Sequence, residues 1–262
     1  MDGVGKSTTG LGDAVTAAHT PTLDKLLATC KNVYIKAHGT AVGLPSDEDM
    51  GNSEVGHNAL GCGQVYSQGA KLVEEAIESG EIFNSSAWQE LKNSCVTHGS
   101  AMHFLGLLSD GNVHSNINHL IALIKGAKRD GIKKVFVHVL LDGRDVPATS
   151  ALQYVDMLEN AMAEMNDESF TAKIASGGGR MTITMDRYFA NWDMVKRGFY
   201  THVYGEGRGF ESATAAIETF RAETPGIIDQ DLPAFVVVKD GKPVGAMHDN
   251  DSVILFNFRG DR

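Results

Sequence analysis

A single serine among glycines is the first residue whose type and position could support chemistry. Residues 51–61 read Gly-Asn-Ser-Glu-Val-Gly-His-Asn-Ala-Leu-Gly, with Ser53 near the start. A serine hydroxyl is a weak nucleophile at neutral pH and needs a neighbouring base, a metal ion or a helix N-terminus. The pattern predicts a helix over 58–77 that could help. Ser53 is therefore the candidate nucleophile, although Asn-Ser and Gly-His pairs are also common in ordinary loops.

From about residue 100 the chain alternates apolar strands with amphipathic helices. The pattern predicts strands over 102–108, 134–141 and 171–175, helices over 114–128 and 149–164, and a later apolar run over 253–258. Such an order implies a parallel sheet with right-handed crossovers. Ligands of these sheets bind beyond the carboxyl ends of the strands. The polar residues that follow each strand are therefore the candidates for a site.

Arginines, one histidine and one aspartate follow these strands. They are His114 after the first strand, Arg144 and Asp145 after the second, Arg180 after the third, and Arg259 and Arg262 after the last apolar run. Arginine presents a rigid fork of donors that matches carboxylate or phosphate oxygens. The glycine run at 177–179 would let backbone N–H groups approach an anion closely. This edge of the sheet is predicted to bind a small polyanion.

Asp145 is the carboxylate expected among these arginines. Cationic neighbours favour its ionised form, in which it could accept a hydroxyl proton as a general base. A plainer interpretation is that Asp142 and Asp145 cap a helix and that the arginines pair with surface acids. The residues by themselves leave both interpretations open.

Composition disfavours several classes of partner. The 262 residues are 42% hydrophobic, which is enough for a sizeable core. The net charge of −10 disfavours binding to nucleic acid and to anionic membranes. The longest apolar run, 135–141, is too short to cross a bilayer, and the first residues lack a signal pattern, so a cytoplasmic protein is expected. Cys30, Cys62 and Cys95 form no close pair, which predicts reduced thiols.

Eight short motifs carry a resemblance to a known family. They are Asp2-Gly3, Gly43 to Asn58, Leu107 to Gly111, Val113 to Ser115, Asp142 to Asp145, Gly179-Arg180, Met185 to Tyr188, and Asn257 to Arg259. Together, and in this order, they resemble the cofactor-independent phosphoglycerate mutases, in the form found in plants and trypanosomatids. The resemblance covers nearly the whole chain.

The resemblance implies an α/β fold in which a parallel-sheet phosphotransferase domain is inserted into an alkaline-phosphatase-like domain. Residues 1–72 resemble the start of the alkaline-phosphatase-like domain, and residues 73–262 resemble most of the inserted phosphoglycerate-binding domain. In this family the serine matching Ser53 takes the phosphoryl group from 3-phosphoglycerate and returns it to the 2-hydroxyl of the same glycerate. The resemblance therefore implies a monomeric enzyme of glycolysis and gluconeogenesis that needs two divalent metal ions, manganese above all, and no 2,3-bisphosphoglycerate.

The resemblance also assigns roles residue by residue. Asp2 and Ser53 match ligands of one metal ion, and Asp145 matches the base that handles the glycerate hydroxyl protons. Substrate-binding positions are matched by His114, Arg144, Asp145, Arg180, Arg187, Arg259 and Arg262. The family's other metal ligands lie in later motifs, and two ligands cannot complete a manganese site, which takes about five or six. The chain is therefore expected to be a fragment with little or no turnover by itself.

Two other functions remain open from the sequence. A related metal-dependent phosphatase or phosphopentomutase-like enzyme would share the serine and the metal core, but it would not require the polar edge at 142–145 and 177–180. Phosphate release from simple esters would favour that enzyme. A non-catalytic phosphoglycerate-binding remnant would instead bind 3-phosphoglycerate without turnover and lose this binding in Arg180→Ala.

Overall fold

The computed structural model describes residues 4–5 and 7–260. The chain divides into two units between residues 68 and 69. The helices of the first unit are α1 (Ala14–Ala17), α2 (Pro21–Thr29) and α3 (Ser53–Cys62), with a 3-10 turn over Gly39–Val42. Its buried apolar cluster consists of Val42, Leu44 and Val55. This small core packs the end of the 3-10 turn against α3.

The predicted helix over 58–77 is wrong, because two helices cover this stretch. The first, α3, begins five residues earlier, since the Asn52 side chain accepts hydrogen bonds from the backbone N–H groups of Glu54 and Val55. It ends before Gly63, whose φ of 65° is left-handed and favours glycine. The second helix, α4 (Gly69–Glu78), belongs to the second unit, and the predicted domain boundary at 72/73 falls inside it.

The second unit is a mixed sheet covered by helices. After α4 its helices are α5 (Glu81–Asn84), α6 (Ser86–His98), α7 (Ile117–Arg129), α8 (Ala151–Met165), α9 (Trp192–Phe199) and α10 (Ala213–Glu223). Its strands are β1 (Met102–Leu108), β2 (Lys134–Leu141), β3 (Thr171–Gly179), β4 (Arg208–Phe210), β5 (Phe235–Lys239), β6 (Lys242–Pro243) and β7 (Ser252–Leu255). A π-helix, Tyr200–Tyr204, continues α9, and a 3-10 turn covers Asp229–Asp231.

The strands pair in the order β4-β5-β3-β2-β1-β7, with β6 added to β5. Strands β3, β2, β1 and β7 are all parallel, whereas β5 runs antiparallel to β3. The predicted parallel sheet is therefore confirmed, and the carboxyl ends of four strands lie along one edge. We call the residues that follow β1, β2, β3 and β7 the carboxyl-end rim.

The glycine run at the end of β3 has a different role from the one predicted. It does not form an anion-binding loop but extends β3 to Gly179. A side chain at Gly177 would approach the Phe235 ring to 2.6 Å, and one at Gly179 would approach the carbonyl oxygen of Gln230 to 2.2 Å. These glycines therefore let β3 pack closely against residues 230–235, which carry the chain back to the sheet.

The two faces of the sheet are covered unequally. Residues such as Phe104, Val137 and Val155 belong to a large apolar core shared with α7 and α8. The opposite face has a small apolar cluster of Leu107, Leu140, Ile183 and Met185. Three histidines, His103, His138 and His202, are also buried, each with no more than 2% of its surface exposed. By strand alternation His103 and His138 lie on the same face as Leu107 and Leu140.

The buried histidines make the second unit sensitive to acid. Burial lowers the pKa of His202 to about 3, holds that of His138 well below its ordinary value, and lowers that of His103 despite the opposing effect of Asp251. Unfolded histidines titrate near 6.5, so for His202 the unfolded chain binds more protons between about pH 3 and 6.5. Below about pH 6.5 the free energy of unfolding should fall, by up to about 1.4 kcal/mol per pH unit for each histidine.

Urea unfolding between about pH 7.5 and 5, followed by tryptophan fluorescence, tests the predicted fall in the free energy of unfolding. Both tryptophans, Trp88 and Trp192, lie in the second unit. His98→Asn is the control, because the exposed His98 side chain contacts the Ser94 carbonyl oxygen of its own helix, and its removal should leave the slope unchanged. A free energy of unfolding that stays constant below pH 6.5 would contradict the prediction.

Among the described residues, no helix is long and apolar enough to span a membrane. The three cysteines are free thiols, as predicted, with Cys30 and Cys62 exposed and Cys95 buried.

Candidate functional site

Ser53 is the first residue of α3, at the positive end of the helix dipole. Its side chain is exposed, and the capping side chain is that of Asn52. The hydroxyl is therefore not needed to cap the helix and lies where backbone N–H groups favour an approaching anion. The turn before α3 is held tightly, because the Gly51 N–H donates to Nδ1 of His38 over 3.1 Å, and a side chain at Gly51 would collide with the carbonyl oxygen of Ala37.

His57 lies one turn further along α3 and contacts Ser53 twice. Its Nδ1 is 2.7 Å from the Ser53 carbonyl oxygen and 3.1 Å from Ser53 Oγ. A carbonyl oxygen can only accept, so Nδ1 carries a proton and donates to it. An Nδ1 that already donates cannot take the serine proton. In this arrangement His57 orients Ser53 but is not its general base, a contact that the four-residue spacing on one helix could have suggested.

Asp142 is the centre of the carboxyl-end rim and is almost fully buried. Its Oδ2 accepts from Ser109 Oγ over 2.6 Å, which joins the ends of β1 and β2. Its Oδ1 accepts from the backbone N–H groups of Arg144 and Asp145 and from Nη1 of Arg180. Asp142 therefore shapes the turn that follows β2 and fixes the guanidinium that follows β3.

Arg180 joins the two aspartates of this turn. Its Nη1 lies 2.7 Å from Asp142 Oδ1 and 2.6 Å from Asp145 Oδ2, and the side chain is 2% exposed. Arg180 thus pairs with acids, as the plainer interpretation expects, but these acids belong to the rim and not to the surface, Asp142 being buried and Asp145 half-buried. The trio carries a formal charge of −1, so an anionic ligand would require further cations. Asp145 Oδ1 makes no hydrogen bond within the described part of the chain, which leaves it available to a hydroxyl.

The other predicted rim residues occupy different surroundings. His114 is buried, and its carbonyl oxygen accepts from the N–H of Phe258, which ties the β1 loop to the segment after β7. Arg144 is exposed, and Arg259 is half-buried directly after Phe258. Arg187 is half-buried in the loop after Met185, with its guanidinium 4.6 Å from the centre of the Tyr188 ring. Asp2 and Arg262 lie outside the described residues.

Two side chains that support the rim were not among the predicted site residues. Ser109 connects β1 to Asp142, and Tyr154 from α8 donates from its hydroxyl to Asp110 Oδ1 over 2.5 Å. Burial, followed by the neighbouring Asp110 carboxylate, raises the pKa of Tyr154, so this hydroxyl stays a donor. The Ser-Asp pair after β1 was a usable signal, whereas the tyrosine on a distant helix gave none.

The described residues do not form a metal centre by themselves. Within residues 4–5 and 7–260, no group of three or more histidine, cysteine, aspartate or glutamate side chains is placed to hold a metal ion. Ser53, the described member of the predicted pair of ligands, has the His57 imidazole as its hydrogen-bonded side-chain neighbour. The residues present therefore do not fit a complete two-metal site.

Comparison with known proteins gives a consistent result. Residues 73–262 match the family described as BPG-independent PGAM N-terminus. A probable 2,3-bisphosphoglycerate-independent phosphoglycerate mutase of Leptospira interrogans is 54% identical over 264 aligned residues. The corresponding protein of Trypanosoma brucei is 50% identical. Each alignment covers all of this chain and 48% of the relative.

A solved structure agrees with these relatives. Crystal structures of Leishmania mexicana phosphoglycerate mutase at low cobalt concentration match with a TM-score of 0.93 and 49% identity. The match covers 100% of this chain and 48% of that one. The chain thus spans about half the length of the relatives it matches.

Proposed function

The chain belongs to the BPG-independent phosphoglycerate mutase family, and we propose that it supplies the phosphoryl-accepting serine and the glycerate-binding rim of such an enzyme. The activity we propose is the interconversion of 3-phosphoglycerate and 2-phosphoglycerate through a phosphoserine at Ser53, without 2,3-bisphosphoglycerate. Because the chain spans about half of its relatives, this activity is proposed for the longer enzyme.

In the proposed reaction the phosphoryl group moves out to the enzyme and back. Ser53 Oγ bonds to the phosphorus of 3-phosphoglycerate while the bond between phosphorus and the C3 oxygen breaks. Ser53 loses its proton and the C3 oxygen gains one. In the return step the 2-hydroxyl loses its proton and bonds to phosphorus while the bond between phosphorus and Ser53 Oγ breaks, and Ser53 Oγ regains a proton. The exposed position of Ser53 at the N-terminus of α3 supports this role, because the helix end favours the phosphate charge.

The observation that carries the proposal is the arrangement of Asp145 at the carboxyl-end rim. Arg180 binds one oxygen of this carboxylate and so fixes its position. The other oxygen could exchange protons with the adjacent 2- and 3-hydroxyls of one glycerate in turn. Arg144, Arg187 and Arg259 would supply the positive charge that the Asp142-Arg180-Asp145 trio lacks.

The two divalent ions, proposed to be manganese, would activate the serine and neutralise the transferring oxygens when bound. We propose Asp2 and Ser53 as the contribution of this chain to that site. Since the described residues hold no further ligand set, the 262-residue polypeptide by itself is expected to show no manganese-dependent turnover.

A binding experiment on the 262-residue chain tests the rim directly. Arg144→Ala should weaken 3-phosphoglycerate binding about ten- to a hundredfold, because hydrogen bonds between charged groups contribute roughly 1.5–3 kcal/mol. The Arg144 side chain is exposed, so its removal should leave the fold intact. Isothermal titration calorimetry measures the effect.

Arg129→Ala is the matched control for this titration. Arg129 is also exposed, but it lies in the last turn of α7 and not at the rim. Equal losses in the two variants would mean non-specific attraction of the anion, and unchanged binding in Arg144→Ala would remove this residue from the site.

A further inference from the structure

A continuous row of hydrogen bonds crosses the second face of the sheet. It runs from Asp251 Oδ2 to His103 Nε2 (3.1 Å), from His103 Nδ1 to His138 Nε2 (2.9 Å), from His138 Nδ1 to Ser176 Oγ (2.7 Å), from Ser176 Oγ to His202 Nδ1 (2.8 Å), and from His202 Nε2 to Thr184 Oγ1 (3.0 Å). We call these six side chains the histidine relay. None of them belongs to the proposed set of substrate or metal ligands.

The proton positions in the relay follow from its first member. The Asp251 carboxylate only accepts, and it also receives two backbone N–H groups. A neutral imidazole has one donor nitrogen and one acceptor nitrogen. His103 must therefore donate to Asp251, and each later member donates to the one before it. The row ends with the Thr184 hydroxyl donating to His202. All hydrogen bonds of the row point in the same direction, so the donor and acceptor at each one are set by the others.

Irregular backbone places three consecutive members of the relay. The pairing of β2 with β3 shifts register between Val137 and His138, which brings Ser176 opposite His138. His202 lies in the π-helix, a rare conformation that often occurs at functional sites. Thr184 has a φ of 65°, which is unusual for a β-branched residue. Such departures persist when the surrounding structure requires them.

The relay ends on the segment that carries Arg187. The backbone N–H of Thr184 donates to the carbonyl oxygen of Met194, and a side chain at Gly198 of α9 would lie 2.2 Å from Thr184 Oγ1. Beyond Met185 the loop becomes exposed, with Tyr188 and Phe189 each 80% exposed. Ile183 and Met185, on either side of Thr184, belong to the small apolar cluster, and the hydrogen bond from Thr184 to His202 joins the same segment to the relay.

We propose that the histidine relay is a positioning device that fixes loop 184–190 and thereby holds Arg187 ready to bind phosphoglycerate. The relay residues touch no reacting atom. Ser176 is then a remote positioning residue, since its loss would leave His138 without a donor and His202 without an acceptor. The role of Arg187 rests on the proposed function, whereas the ordering of the loop does not.

Amide hydrogen exchange of the 262-residue chain without ligand tests the ordering of the loop. Thr184→Val keeps the shape of the side chain but removes the hydroxyl, and it should speed exchange of amides 184–190 about tenfold or more. Ser176→Ala should speed exchange in the same loop, although it changes the sheet. Thr184→Ser keeps the hydroxyl and should restore slow exchange.

Thr219→Val is the matched control, because the half-buried Thr219 hydroxyl only donates to the Ala215 carbonyl oxygen within α10. Unchanged exchange of the loop in a folded Thr184→Val variant would overturn the proposal, as would a Ser176→Ala effect confined to β3. Binding of 3-phosphoglycerate separates the two parts of the proposal. Weaker binding in Thr184→Val that Thr184→Ser restores supports the link to Arg187, and faster exchange with unchanged binding overturns that link alone.

Discussion

Ser53→Ala is expected to abolish mutase turnover in a hybrid enzyme that joins residues 1–262 to the carboxyl-terminal half of the Leptospira interrogans relative. The variant removes the only atom proposed to accept the phosphoryl group, so the rate should fall at least about a thousandfold. Folding should be retained, because Asn52 rather than Ser53 caps α3. The measurement is conversion of 3-phosphoglycerate to 2-phosphoglycerate with manganese present and 2,3-bisphosphoglycerate absent.

Ser86→Ala is the matched control for this loss of activity. Ser86 is also the exposed first residue of a helix, α6, whose capping side chain belongs to the preceding Ser85. The two variants therefore make the same local change, and Ser86→Ala should keep full turnover. Surviving turnover in Ser53→Ala would refute the assignment of the nucleophile.

Arg180→Met is expected to lower the free energy of unfolding of the second unit by about 3–5 kcal/mol, because it leaves the buried Asp142 and the half-buried Asp145 carboxylates without their partner. The side chains of Asp142 and Asp145 are 1% and 12% exposed, so water can compensate little for the lost guanidinium. Urea unfolding followed by tryptophan fluorescence measures the change. An effect of this size means that loss of ligand binding in Arg180→Ala cannot by itself identify a substrate contact.

Two further variants separate charge from packing. Arg208→Met removes an exposed pair in which two nitrogens contact Glu223, and it should change the free energy of unfolding far less. Adding Asp145→Asn to Arg180→Met should recover part of the loss, since it removes one uncompensated charge. Equal effects of Arg180→Met and Arg208→Met, or no recovery in the double variant, would contradict the account of the rim.

Two central strands were predictable from the sequence, whereas β3 is four residues longer than predicted and β7 ends three residues before the predicted apolar run does. Strands β1 and β2 match the predicted ranges 102–108 and 134–141, because continuous apolar runs are bounded there by polar turns. Because β3, β2, β1 and β7 are parallel, their carboxyl ends lie along one edge of the sheet. The prediction of a single helix over 58–77 failed because two amphipathic helices follow each other there. The break between them at Gly63 depends on one left-handed residue.

The pairing within the site could not be predicted in the same way. The sequence places Arg180 after a strand, but only the folded sheet brings one of its nitrogens between Asp142 and Asp145. The histidine relay is even harder to predict from the sequence. It depends on a register shift and a π-helix, which have no pattern in the sequence, and its members come from distant segments.

The position of the phosphoryl group on the enzyme decides whether Ser53 is the nucleophile. The hybrid enzyme would be mixed with 3-phosphoglycerate labelled in its phosphate, quenched in acid within one turnover, digested and analysed by mass spectrometry. We expect the label on Ser53, in the peptide that spans residues 51–61. Label on another residue, or turnover with no labelled enzyme, would contradict it.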